Sequence, residues 1–441
     1  MTPIGAIILI VAVVMVWTAP PEKALLAMVA GALFLSQGLQ LNLGGFNMFA
    51  FRFIELTGFL RVLTRKEFSF SQLNKIDRML IGFYAYLTIV FVLRSSEGVI
   101  FEIGVAVDAF LTYFTFRGLV KNMDNVIGFL RSFLVMFSCY AVLVMLERYF
   151  RYNAFILVGG DGPGDPDIWD RNGMPRCYGS FRHPSLLGTI GGSFLPLYFA
   201  LWLGPTKKKA AIIGMACCLL IVFASNSGAP LNCVAVGFVG WVLWLARKNM
   251  RAVRWILVIF VTVMGFAMKA PIWYLVAKAS DISGGDGWHR SYLMDIAYQN
   301  LGNWWFAGMP LEATRHWFPY TNGGTGNADI TNQYISYGLT AGLGVMALFI
   351  AVLTTIFSQL GKAMQLLRSR PGRPGQTEFL LWGLGTMIGI HCVNWFGITY
   401  FDQTYVFWFL QLAIISCLTT EVLQPTAKAT ERHLQIFTSR V

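Results

Sequence analysis

The chain has 441 residues, of which 56% are hydrophobic and only 13% are charged, and its formal net charge is +12. An ordinary soluble domain carries about 25% charged residues, so this composition excludes a soluble globular protein. The Lys and Arg residues gather in short segments between apolar runs, which is typical of membrane loops and not of a nucleic-acid-binding surface. We therefore expect no nucleic acid among the partners.

Repeated apolar runs, each near the roughly 20 residues that a membrane-crossing helix needs, predict an all-α polytopic bundle of about 12–13 transmembrane helices. We expect one transmembrane domain that covers residues 1–441 and has no internal repeat. In chain order the predicted spans are 4–19, 23–41, 44–60, 79–93, 99–117, 126–148, 185–203, 210–226, 229–246, 254–271, 329–357, 379–397 and 402–420. The span 44–60 is the weakest, because Arg52 and Glu55 share one helical face, where they could pair or lie at the membrane interface.

Basic residues between the spans predict the orientation. Counting spans puts all of the basic segments on one side, and the positive-inside rule makes that side the cytoplasm. The segments are 61–78, 117–121, 207–209, 247–254 and 362–373. Two long polar loops, residues 150–184 and 272–328, then face the opposite side together.

Neither outer loop nor the cysteines predict a metal site. The acidic stretch Gly159–Asp167 is interrupted by Gly and Pro, so we interpret it as a solvated turn and not as a calcium loop. All cysteines but Cys177 fall in apolar spans, and their spacing matches no zinc site or disulfide framework.

The outer loops hold the cations and aromatic residues that could form a site. Arginine suits the binding of phosphate oxygens through paired donors, so Arg176, Arg290 and Arg315 predict a site for a lipid-linked diphosphate. Arg171 follows Asp167 and Asp170 and is expected to pair with them instead. The chemistry that fits such a site is displacement of the diphosphate at a sugar carbon.

Tryptophan is abundant in the second loop, where Trp288 and Trp305 are examples. These rings could form an aromatic belt at the level of the lipid headgroups. They could equally offer flat apolar faces on which sugars stack. The residue types alone do not separate the two interpretations.

Four short stretches together resemble the O-antigen polymerase and ligase superfamily. Residues 175–188 are similar to the family's Arg-, Phe- and His/Asn-Pro-containing start of a span, and residues 225–229 resemble its Ser-Arg-Gly-Ala turn. His289 and Arg290 stand where the family has an Arg ahead of its large outer loop. Residues 332–339 resemble the beginning of the following span. The resemblance covers roughly residues 120 to 360.

The resemblance implies a metal-independent glycosyltransferase without a cofactor, active at the periplasmic face of a bacterial inner membrane. Its donor and acceptor would be glycans linked to undecaprenyl diphosphate in the membrane lipid, and a chain-length regulator protein is a further candidate partner. The arginines named above would bind the diphosphate. The residues expected to contact the glycan are Trp288, Trp305, Asn332 and Tyr337.

Thr331 stands where the ligase pattern has a His before Asn, which argues against ligase catalysis by a His. The basic residues are also sparser than in a ligase, which favours a polymerase of exopolysaccharide or O-antigen over an O-antigen ligase. Another group must then accept the proton of the acceptor hydroxyl. Asp329 is the first candidate for this base, with His316 and His289 as alternatives. Asp329 could instead cap the helix that follows it.

A transporter of lipid-linked oligosaccharide is the competing interpretation from another class. Transporters often contain internal repeats and polar groups in the middle of their spans. In this chain the polar residues cluster mainly in the outer loops. His391 lies within a span, and we expect it to form hydrogen bonds between helices.

Overall fold

The computed structural model describes residues 2–43, 46–159, 170–171, 173–205, 208–278, 287–317, 326–369, 372 and 375–424. Most of the acidic turn at 160–169, the loop tip 318–325 and the C-terminal tail 425–441 lie outside the described residues. The described chain is an all-α helical bundle, as the composition predicted, and it is a multi-pass membrane protein.

The helices follow one another along the chain, and the longest connections are those of the two outer loops. They are α1 Pro3–Thr18, α2 Pro21–Phe34, α3 Ala50–Thr64, α4 Lys75–Arg94, α5 Val99–Leu119, α6 Met123–Phe150, α7 Pro184–Leu203, α8 Lys208–Ser225, α9 Gly228–Val242, α10 Met250–Ala267, α11 Gly287–Gln299, α12 Leu301–Trp304, α13 Gln333–Arg368, α14 Gln376–Asn394 and α15 Thr404–Leu423. The strands form two small antiparallel hairpins, β1 Gln40–Leu43 with β2 Phe46–Phe49, and β3 Asp170–Arg171 with β4 Met174–Pro175.

Within the described chain, eight helical segments are long and apolar enough to cross a membrane, with α9 and α10 counted as one continuous segment. Each span predicted from the sequence contains a helix. However, α1, α2 and α3 have only 16, 14 and 15 residues. These three packed helices therefore fall short of the length that a lone span of about 20 residues requires.

The prediction that residues 44–60 form one continuous span is wrong. Its beginning belongs to the β1–β2 hairpin, and α3 starts only at Ala50. Arg52 does not pair with Glu55. Its Nη2 lies 2.7 Å from Oδ2 of Asp108 on α5, and Glu55 accepts a hydrogen bond of 2.6 Å from Thr112 on the same helix. The charges are matched between helices because α3 packs against α5, which buries that face.

Basic segments meet at one end of the bundle. Lys121 donates from Nζ to the carbonyl oxygen of Glu67 at 2.6 Å, and Arg368 donates from Nη1 to the carbonyl oxygen of Arg247 at 2.7 Å. We call this the basic end. The two outer loops meet at the opposite end, which we call the loop end.

His391 on α14 makes the interhelical hydrogen bonds that the sequence led us to expect. Its Nδ1 is hydrogen-bonded to the hydroxyl of Tyr400, and its Nε2 lies 2.6 Å from Oε1 of Gln411 on α15. The imidazole also stacks against Trp395. His391 is thus part of the packing between α14 and α15.

Helix α13 is broken near the loop end, and the second outer loop fills the break. Gly342 has φ +80°, so the regular hydrogen-bond ladder stops there. Leu343 donates its amide to the carbonyl of Trp305 at 2.7 Å, and Met309 donates to the carbonyl of Leu339 at 2.8 Å. Residues 305–309 therefore satisfy main-chain groups that hydrocarbon would leave without partners.

Replacing Gly342 by alanine should undock residues 305–309. The added Cβ would lie 2.8 Å from the carbonyl oxygen of Trp305, and the positive φ adds strain of about 1–3 kcal/mol. We expect amide hydrogen exchange at Leu343 and Met309 to accelerate about 10- to 100-fold. Gly361→Ala is the matched control, because it lies on the same helix with no atom within 4 Å of its Cβ position. Equal exchange in the two variants would contradict the docking role of the glycine.

Candidate functional site

The loop end encloses a cavity of about 1140 Å³. This volume exceeds the roughly 300–1,000 Å³ of most small-molecule sites, which suits a large polar ligand. The walls come from the end of α4, segment 171–185, the start of α11, segment 328–331, α13 and segment 397–401. The polar and aromatic lining includes Arg94, Arg171, Arg176, His183, Ser185, Trp288, His289, Arg290, Asp329, Thr331 and Thr399.

Segment 175–183 forms one wall and is fixed from behind by α6. The buried Glu147 carboxylate accepts hydrogen bonds of 3.0 Å from the amides of Tyr178 and Gly179. Gly179 has φ +59°, and a Cβ there would collide with the hydroxyl of Tyr140. The Cys-Tyr-Gly-Ser sequence therefore folds as a rigid turn that holds both ends of the segment against the cavity.

Arg176 projects from this wall. Its Nη2 donates to Oγ of Ser227 at 2.9 Å, just before α9 begins. Burial, followed by the positive charges of Arg171 and Arg290, lowers the pKa of Arg176 to about 10. The three guanidinium groups thus repel one another in a partly buried place, and an oxyanion bound between them would relieve that repulsion.

His183 closes the same wall. Its Nδ1 accepts a hydrogen bond of 3.1 Å from the amide of Ser185, so the ring caps the N-terminus of α7. Burial, followed by the positive charges of nearby arginines such as Arg176 and Arg290, lowers the pKa of His183 to about 4. His183 is therefore neutral at pH 7 and adds no positive charge to the cavity.

Arg171 lines the cavity, and the prediction that it pairs with Asp170 is wrong. Asp170 instead binds Arg151, with 3.0 Å between Oδ2 and Nη1, and Asp167 lies outside the described residues. Asn226, which has φ +44°, donates from Nδ2 to the carbonyl of Arg171 at 3.2 Å. The turn at Asn226 thereby holds the β3–β4 hairpin so that Arg171 joins the arginine cluster.

The first turn of α11 supplies the facing wall through Trp288, His289 and Arg290. The Trp288 ring stacks on Tyr292, with 5.0 Å between centroids and 7° between the planes, and the side chain of Trp288 is half-exposed. This pair presents a flat aromatic face beside the cavity. Arg290 lies over Gly397, and its Nε is 3.1 Å from the position that a Cβ of that residue would take. Only glycine leaves the guanidinium its present place.

Asp329 is the carboxylate of the cavity. Burial raises the pKa of Asp329 above its ordinary value, while the charges of His289 and Arg290 act in the opposite direction. A carboxylate beside cations in a partly buried cavity can accept a proton from a hydroxyl group.

Asp329 does not cap α13. Asn332 does so, because its side chain accepts the amide of Ile335 at 3.1 Å. The amide of Thr331 donates to the main-chain carbonyl of Asp329 at 3.0 Å, which leaves the Asp329 carboxylate to the cavity. Oγ1 of Thr331 is enclosed and has no hydrogen-bond partner among the described residues.

Five residues predicted for the site lie outside the cavity lining: Arg315, His316, Trp305, Asn332 and Tyr337. Arg315 donates from Nε to Oδ1 of Asn327 at 3.3 Å, within the loop itself. The Tyr337 ring packs against Phe83 of α4 at 5.0 Å between centroids. Both therefore contribute to packing, and the structure does not bring them to the arginine cluster.

The other three residues also lie away from the cavity, each for a different reason. Asn332 is buried as the cap of α13, and His316 is exposed on the loop surface. The ring of Trp305 is half-exposed beside Phe306, while its carbonyl serves the break in α13. Sequence analysis missed Arg94, because it ends a span and belongs to neither outer loop. An arginine at the loop end of a span was the available signal, since cations are less frequent on that side.

The described residues contain no group of three or more His, Cys, Asp or Glu side chains that could hold a metal ion. The described residues that line the cavity offer guanidinium groups, two imidazoles, one carboxylate, hydroxyl groups and aromatic faces. No protein-family model matches the sequence, and no curated protein matches it either.

Proposed function

We propose that the chain is a membrane glycosyltransferase that polymerises glycan repeat units carried on undecaprenyl diphosphate. The observation that carries the proposal is the convergence of Arg171, Arg176 and Arg290 with Asp329 around one cavity at the loop end. The arginine cluster suits a diphosphate leaving group, and the carboxylate suits the activation of a sugar hydroxyl.

The proposed reaction is displacement at the anomeric carbon of the donor glycan. The acceptor hydroxyl gives its proton to Asp329 and forms the new glycosidic C–O bond. The bond from the anomeric carbon to the diphosphate oxygen breaks, and its electron pair stays on the diphosphate. Arg176 and Arg290 stabilise the developing charge on that leaving group. The half-exposed face of Trp288 offers the place where a sugar ring stacks.

The loop end faces the periplasm of a bacterial inner membrane in this proposal, because the basic end takes the cytoplasmic side. An impermeant maleimide added from outside should modify a Ser96→Cys variant and spare a Ser369→Cys variant, both of which occupy exposed positions at opposite ends. Cys177 is not a suitable reporter, since only 1% of it is exposed. Labelling of the second variant alone would reverse the orientation and remove the site from the periplasm.

The function itself is tested with lipid-linked oligosaccharide extracted from cells that lack the chain. Purified protein in lipid nanodiscs should convert this extract into a ladder of products that differ by one repeat unit. A glycan transferred to added lipid A core would instead identify a ligase. Movement of the substrate across vesicles without a new glycosidic bond would identify a transporter. The Asp329→Asn variant serves as the inactive control.

A further inference from the structure

Arg94 is a cation of the cavity that the proposed reaction does not yet use. It ends α4 on the same helix face as Leu87 and Phe91, and this face turns inward. The Phe91 ring lies 5.0 Å from the guanidinium carbon of Arg94 and covers one side of it. The guanidinium group therefore has a defined place in the cavity wall.

The donors of this guanidinium are not used within the described chain. Nε and Nη1 of Arg94 are enclosed and have no hydrogen-bond partner among the described residues. Glu102 and Glu312 are the acidic groups whose charges act on Arg94, and neither is hydrogen-bonded to it. Enclosed donors without acceptors are unfavourable, so an oxyanion in the cavity toward which the guanidinium group turned these donors would be bound well.

The neighbouring face of α4 points toward lipid. Leu93 is 83% exposed, and Ile89 and Val92 lie on the same stripe. At the start of α5, Ile100 and Phe101 are exposed as well, and Phe101 reaches 70%. Exposed apolar side chains of both helices thus lie close in sequence to Arg94, which borders the cavity.

We propose that Arg94 binds a phosphate of the polyprenyl carrier, whose hydrocarbon chain lies along the exposed surface of α4 and α5. The arrangement places a phosphate-binding guanidinium between a lipid-facing stripe and a polar cavity on the same helix end. Naming the carrier rests on the proposed function, because a bilayer phospholipid offers the same phosphate chemistry. The experiment therefore compares the two lipids.

The protein is placed in nanodiscs of phosphatidylcholine and titrated with undecaprenyl phosphate, which carries no glycan and allows no turnover. Binding is counted by native mass spectrometry. Arg94→Gln should weaken binding about tenfold or more, and Arg94→Lys should recover only part of the loss. Arg315→Gln is the matched control, an outer-loop arginine outside the cavity lining, and should bind like the wild type.

Undecaprenol, which lacks the phosphate, should bind wild type and Arg94→Gln equally, and this shows that the apolar surface of the variant is intact. Equal binding of undecaprenyl phosphate to both proteins would overturn the proposal. Phosphatidic acid that competes as well as undecaprenyl phosphate and depends equally on Arg94 would overturn the assignment to the carrier. Since no glycan is present, Arg94-dependent binding together with a failed polymerisation assay would reject the proposed function alone.

Discussion

Arg290→Ala is expected to lower polymer formation about 100-fold or more, the range seen when a donor to developing negative charge is removed. The guanidinium belongs to the arginine cluster, so its loss removes both charge and paired donors from the proposed leaving group. Arg290→Lys should recover little, because an ammonium group cannot make the paired contact. The repeat-unit ladder measures the effect, and the amount of protein in the membrane should stay near that of the wild type.

A substitution at Gly397 tests the position of the Arg290 guanidinium without replacing Arg290 itself. A Cβ at this position would lie 3.1 Å from Cδ and 3.3 Å from Cζ of Arg290, so Gly397→Ala must displace the guanidinium by some tenths of an ångström. We expect about a tenfold loss of activity. Gly389→Ala is the control, because this residue lies in the last turns of α14 with no atom within 4 Å of its Cβ position, and it should cause no loss of activity.

In the Arg290→Ala background, the Gly397→Ala change should cause no further loss, since the crowded group is gone. Additive losses would show that Gly397 acts on something other than Arg290. Full activity of Arg290→Ala would remove this arginine from the site altogether.

Asp329→Asn is the second variant with a large expected effect, because asparagine keeps the shape of the side chain and cannot accept the hydroxyl proton. We expect the ladder to fall by about 100-fold or more, within the contribution of a general base. Thermal unfolding should be unchanged, since Asn332 and not Asp329 caps α13. Retained polymer would exclude Asp329 as the base and leave His289 as the cavity alternative, because His316 lies outside the lining.

The pH profile gives an independent reading of the same carboxylate. A base acts only when ionised, and burial raises the pKa of Asp329, so activity should fall on acidification earlier than it would for an exposed aspartate. The charge of His289 lowers this pKa, so His289→Gln should move the acidic limb to higher pH. A limb that stays in place would show that another group controls the profile.

The helical fold could be predicted because lipid imposes one rule on every span: apolar side chains and hydrogen bonds closed within the helix. The main error came from applying this rule to composition alone. Residues 44–60 looked like a span by composition, but α3 packs between neighbouring helices, where Arg52 finds Asp108. A partner from a distant helix is not visible in the local sequence.

The site was predicted only in part for a similar reason. Arg176, Arg290 and Asp329 were predicted for the site because outer-loop cations and carboxylates are few, and all three line the cavity. Arg171 was discounted on the basis of its sequence neighbours, yet Asn226, far along the chain, turns its hairpin toward the cavity. Tyr337 was assigned to glycan from a resemblance, while the rotation of α13 points its ring at Phe83. The sequence neighbours of Arg171 did not reveal its place in the lining, and the sequence does not show the rotation of α13 that keeps Tyr337 out of it.

We infer an order of assembly from the break in α13. Residues 305–309 are synthesised before residues 339–343, so the filling segment exists before the break that it fills. Until the two meet, the amide of Leu343 and the carbonyl of Leu339 would bond to each other as in a regular helix, since they are four residues apart. The break in α13 and the docking of residues 305–309 therefore form together, and the cavity wall that this loop supplies is complete only when the loop has docked.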